Sequence, residues 1–202
     1  KVTKNSKSQL YFHPIDLIFG LLSFVSYLVE GAVGDWSALY LFEDKGIVIE
    51  EAVMGVMLFN GTMCIGRLLG NRLGKHLTSK QVVVGGYLLG SIAMGLIVFL
   101  PGHASMYTYL LLGISLAMIV PNLFSAMGEQ NVIPMTQAVA TSTMLGYMGI
   151  LMGPALIGFI AHGTSLTVAF IVLTTLLVVS AGIGKYAYHL MSKDCGLSEE
   201  QI

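Results

Sequence analysis

Apolar positions gather into six long runs separated by short polar stretches. The runs cover about Pro14 to Phe42, Ala52 to Leu69, Val82 to Leu100, Met106 to Met127, Met135 to Ala161 and Leu166 to Leu190. None alternates apolar and polar every second residue, as barrel strands do, so all six read as helices. A hydrocarbon core about 30 Å thick takes roughly 20 helical residues to cross. The predicted fold class is therefore all-α, a polytopic membrane protein with six transmembrane helices over residues 14–190. A polar linker (1–13) precedes them and a polar tail (191–202) follows. The breaks carry their own signals: acidic FEDKGIVIEE, basic GRLLGNRLGKHLTSK, the Pro-Gly pair of LPGHAS, polar GEQNVIP and the short AHGTS turn.

Composition strengthens this reading. The chain is 55% hydrophobic and only 10% charged, with a mean hydropathy of +0.79, whereas soluble domains carry about a quarter charged residues. A net charge of -1 argues against a nucleic-acid partner, which would need clustered Lys and Arg on a solvated face. Six spans return both ends to one side. Of the ten Lys and Arg, all but Lys45 fall on that side, so the positive-inside rule places both termini in the cytoplasm of an inner-membrane protein. Cys64 and Cys195 are too far apart to pair, and no His has ligand spacing with another, so neither a disulfide nor a metal site is expected. Protease, aquaporin, potassium-filter and Walker A motifs are absent. No cofactor and no enzymatic chemistry are expected.

The first run stands out because it carries acids at depth: Glu30 and Asp35 within YLVEGAVGDWSALYL, with Gly31 and Gly34 between them. An intramembrane carboxylate is costly unless it faces water or a partner, so it marks a functional site by default. Glu30 has two readings, a proton carrier lining a cavity or the partner of a cation from a part of the protein missing from this chain. In an unbroken helix Asp35 lies about 140° round from it, and the glycines mark where the helix is expected to unwind. Asp35 sits either at the wet outer end or beside a solute, with Trp36 and Tyr40 offering aromatic faces to a sugar ring or cation. Asn60 and Asn122 are further polar groups at depth, for interhelical hydrogen bonds or the solute path. Gly146, Gly149 and Gly153 bare one face of the fifth span ahead of Pro154, for close packing or for a kinked element that seals the route. Arg67, Arg72 and Lys75 make an ordinary basic loop or a gate latch.

EGAVGDWSALYL, IGRLLGNRL, VPNLFSAMG and GYMGILMGPALIGFIA, in that order, resemble the C-terminal six-helix half of a major facilitator superfamily transporter. The fucose-permease-like bacterial branch is the most similar, and the resemblance runs from His13 to Tyr188. It implies helices seven to twelve of a twelve-helix transporter and an N-terminal six-helix half as partner. It also implies a solute site between the two halves near midplane. Where the superfamily's latch loop usually carries an acid just before its Arg, Asn71 stands here. The fifth-span glycines resemble an antiporter signature but occupy a different helix, so drug/proton antiport does not follow. The function expected is secondary transport of a small organic solute, such as a sugar or related metabolite, coupled to protons through Glu30 or Asp35. The alternatives are a structural membrane domain without transport and a half-transporter acting as a homodimer.

Overall fold

A computed structural model describes residues 14–73, 77–129 and 134–195, without the side chains of 71–73, 129 and 194–195. The expected linker, Lys75, the heart of the GEQNVIP loop and the last seven residues of the tail lie outside the described residues. Seven helices follow one another: α1 (Pro14–Glu43), α2 (Ile49–Leu73), α3 (Ser79–Phe99), α4 (Gly102–Ala117), α5 (Ile119–Glu129), α6 (Met135–Gly163) and α7 (Leu166–Cys195). Because α4 and α5 together form one candidate span, six helical segments are long and apolar enough to cross a membrane. Among the described residues there is no strand. At 1.5 Å per residue, the 30 residues of α1 extend about 45 Å, more than the hydrocarbon core, so it must tilt or project.

The break between α4 and α5 has a local cause. Pro121 has no N–H for the carbonyl of Ala117, where α4 ends. Just past the break, the backbone N–H and side-chain Nδ2 of Asn122 both donate to the Met118 carbonyl, at 3.2 and 2.8 Å. Asn122 therefore serves its own helix, and among the described residues it makes no interhelical hydrogen bond.

The expected unwinding of the first span at its glycines does not occur. α1 is helical through Gly31 and Gly34, and packing explains why at Gly31. A Cβ there would stand 2.7 Å from the Ile150 carbonyl of α6, so that glycine lets two backbones approach. In lipid a broken helix would also leave backbone groups without partners. The contact runs along the whole pair. Gly146 lies against the Tyr27 ring, Gly149 against the Phe24 carbonyl and Gly153 against the Leu28 carbonyl. α6 stays helical through Pro154. That proline denies Ile150 its regular donor, and the carbonyl so freed is the one facing Gly31.

At the end opposite the described N-terminus the bundle is tied by polar bonds. The last carbonyls of α3 are satisfied in turn by Leu100 N–H (Leu96, 2.9 Å), Ser105 Oγ (Ile97, 2.7 Å) and Lys45 Nζ (Val98, 2.6 Å). Lys45 reaches across from the α1–α2 turn, which Gly46 closes at φ +69, a conformation that suits glycine. Beside it the Asp44 carboxylate accepts from Thr167 Oγ1 of α7 at 2.9 Å. A cation at a helix C-terminus is also favoured by the helix dipole.

Candidate functional site

Glu30 projects from the middle of α1, and Arg67 from the last two turns of α2. The Arg67 Nη2 donates to both Glu30 oxygens, at 3.3 and 3.1 Å. The Glu30 side chain is 20% exposed and that of Arg67 43%, so the pair sits at an edge of the bundle. The cation that Glu30 needs thus comes from this chain, supplied by a residue that the sequence pattern assigned to the basic loop. Spacing along one helix could not pair two groups 37 positions apart.

At 100° per residue, α1 meets α2 along the side bearing Glu30 and Leu41, and meets α6 through Gly31 and Trp36. Gly34, Asp35 and Phe42 are exposed. Asp35 makes no hydrogen bond or ion pair among the described residues. On α2, Asn60, Cys64 and Arg67 follow at i, i+4 and i+7 and are all exposed, so they share one side of the helix. Asn60 spends its amide on its own helix, donating to the Val56 carbonyl at 3.0 Å. Tyr27 and Tyr147 stack next to Glu30 with ring centroids 6.5 Å apart.

The two aromatic residues offered for solute stacking are placed in the frame. Trp36 donates its indole N–H to the Pro154 carbonyl at 2.9 Å and covers Gly158. Tyr40 is fully buried, stacked on Phe170 at 4.2 Å, with the Lys45 ammonium 5.3 Å above its ring. Trp36 is half-buried and also lines a cavity of about 490 Å³ together with Leu39, Glu43 and Asp44. Arg72 lies in the last turn of α2, its side chain undescribed, and Lys75 lies outside the described residues, so the latch has no geometry here.

Burial of the Lys45 ammonium pushes its pKa below the ordinary lysine value, against the smaller upward pull of neighbouring Asp44. No group of three or more His, Cys, Asp or Glu able to hold a metal occurs among the described residues.

Such a bundle, six apolar spans with a charged pair at the edge of α1 and α2, defines a class: a polytopic helical membrane unit. No family model matches the sequence. An MFS-type transporter of Yersinia pestis is 41% identical over 168 residues, 82% of this chain and 43% of the relative. The membrane protein MosC of Rhizobium meliloti is 30% identical over 170 residues, 83% of this chain and 42% of the relative. Crystal structures of the Escherichia coli fucose:proton symporter FucP are 16% identical. One superposes with a TM-score of 0.75 over 87% of this chain and 43% of that chain. The other, in the outward conformation, gives 0.76 over 89% and 44%. The chain belongs to the major facilitator superfamily, a family of transporters and not of enzymes, and has the fold of one six-helix half. It spans less than half the length of the curated relatives it matches.

Proposed function

We propose that the chain is the C-terminal half of a secondary transporter that moves a small organic solute, such as a sugar or related metabolite, by alternating access coupled to protons. The observation that carries this reading is the Glu30–Arg67 ion pair, held at 3.1 Å on an otherwise apolar bundle yet left partly exposed. A non-transporting scaffold would bury that pair under another helix of the chain, but Arg67 stays 43% exposed. The sugar and the proton are suggested by the neighbour whose title names a fucose:proton symporter.

The chemistry requires no covalent step. Protonating Glu30 cancels its charge and releases Arg67, whose remaining N–H donors then face the open side. Deprotonation restores the pair. Asp35, five residues further along the helix and without a partner among the described residues, is the second carboxylate that takes up or delivers a proton. The N-terminal six-helix half supplies the facing wall, the solute lies between, and Asn60 offers the remaining side-chain carbonyl on this wall. The latch residues Arg72 and Lys75 lie at the cytoplasmic end of an inner-membrane protein with both termini inside.

The test is pH-gradient-driven uptake by the full-length protein in proteoliposomes, with Glu30→Gln, Asp35→Asn and the double variant. Loss of gradient dependence with solute exchange retained is the expected result. Undiminished proton-coupled uptake with both acids neutralised would overturn the coupling.

A further inference from the structure

Trp36, Leu39 and Glu43 follow one another at i, i+3 and i+7 on α1, about 180–240° round the helix from Glu30 at 100° per residue. They share the side turned away from the Glu30–Arg67 pair. Glu43 also lies roughly 20 Å further along the axis than Glu30, at 1.5 Å per residue. The cavity of about 490 Å³ that these residues line with Asp44 is closed by Gly158, Ala161 and His162 of α6 and by the start of α7. It is separate from the open face of α1 and α2, and its size suits a small organic molecule.

The lining changes character with depth. Glu43, Asp44 and His162 are exposed at the rim, Trp36, Leu39 and Ala161 are half-buried, and Leu166 is buried. Glu43 and His162 make no hydrogen bond or ion pair among the described residues. Asp44 accepts from Thr167 through one oxygen. Lys45, whose ammonium feels the Asp44 charge, donates to the Val98 carbonyl at 2.6 Å instead. Two carboxylates therefore stand at the rim without an ion-paired cation among the described residues.

An occupant must match negative charge at the mouth and apolar surface below it. Anions are repelled at the mouth. An inorganic cation would find too few ligands, since no group of three or more His, Cys, Asp or Glu able to hold a metal occurs among the described residues. An indole in the wall is the aromatic ring that attracts cations best.

We infer that this cavity binds a small organic ammonium ion, with its N–H groups on Glu43 and Asp44 and its apolar body against Trp36, Leu39 and Leu166. The site is additional to the solute wall of α1 and α2.

The experiment is isothermal titration of the full-length protein in detergent with phenethylammonium chloride. Phenylacetate and phenethyl alcohol, of similar size but anionic and neutral, are the comparisons. The ammonium ion should bind and the other two should not. Glu43→Gln should weaken binding about tenfold, as loss of a charge-assisted hydrogen bond at an exposed rim does. Ala161→Leu, which narrows the cavity and leaves both carboxylates in place, should weaken it as well. Calcium chloride should not displace the ammonium ion. Glu30→Gln combined with Asp35→Asn, which neutralises the acids of α1 outside the cavity, should leave its affinity unchanged. Failure of the ammonium ion to bind, equal binding of either comparison compound, or displacement by calcium would each overturn the inference. So would undiminished binding by the Glu43 and Ala161 variants, or loss of binding in the Glu30 and Asp35 variant. Should Ala161→Leu fail to fold, Glu43→Gln and the three compounds on the unaltered protein decide the matter.

Discussion

Arg67 holds Glu30 with a single nitrogen, which makes the pair strong enough to form and simple enough to release. Neutralising one partner strands the other, and a lone charge at a helix centre costs about 2.5–3.5 kcal/mol in lipid. The 43% exposure of Arg67 lowers that cost. Glu30→Gln and Arg67→Gln are each expected to destabilise the protein by about 1–3 kcal/mol, with the double variant less damaged than the sum. Thermal unfolding in detergent measures this, and strictly additive losses would show that the two side chains are not coupled. Lys45 gives a prediction of opposite character. Its folded pKa is lowered by burial, so the unfolded chain binds more protons between the folded pKa and the ordinary value near 10.4. The stability of the protein relative to Lys45→Met should therefore rise as pH increases through that window, and a fall would mean that attraction to Asp44 outweighs desolvation.

Between elements, the tightest association is the parallel run of α1 beside α6. Gly149 meets the Phe24 carbonyl and Gly153 the Leu28 carbonyl, so backbone faces backbone and has little room to yield. Gly149→Val is expected to cost about 2 kcal/mol or more. Gly61→Ala, with nothing within 4 Å of the added carbon, should be neutral or stabilise by up to about 1 kcal/mol through helix propensity. Melting temperatures of the two variants separate a packing glycine from an incidental one. Trp36→Phe should remove about 1 kcal/mol by leaving the Pro154 carbonyl without its indole donor. The glycine stripe on the fifth span was legible in sequence because small residues at i, i+3 and i+7 fall on one side. Its partner was not, because the partner's matching feature is Gly31 together with bare carbonyls, and carbonyls are the same at every position. The α4–α5 break was half legible: Pro121 marked a lost N–H, but nothing in the spacing assigned Asn122 to the Met118 carbonyl.

At the scale of the whole molecule, the open face of α1 and α2 carries Glu30, Asn60 and Arg67. Cys64 lies on that face between Asn60 and Arg67 and is exposed, which provides a built-in probe. In the full-length protein, with Cys195→Ser to remove background, Cys64 is expected to react with a membrane-impermeant maleimide, and more slowly when a transported solute is present. Reaction only with a lipid-soluble maleimide would mean that hydrocarbon and not water covers this side. The polar ties at the opposite end from the described N-terminus, Lys45 to Val98 and Asp44 to Thr167, fasten the α1–α2 turn to α3 and α7.

The sequence alone determined the six spans, because a membrane core admits only long apolar helices and their lengths and breaks are written in consecutive residues. It also singled out Glu30 and Asp35, since a charge inside such a run is conspicuous without any coordinates. The tertiary structure decided what those charges meet. Arg67 reached Glu30, Tyr40 was buried against Phe170, Trp36 bonded to the Pro154 carbonyl, and Asp35 stayed exposed, because the way helices distant in sequence pack on one another follows from side-chain shape across the bundle and not from periodicity along one helix.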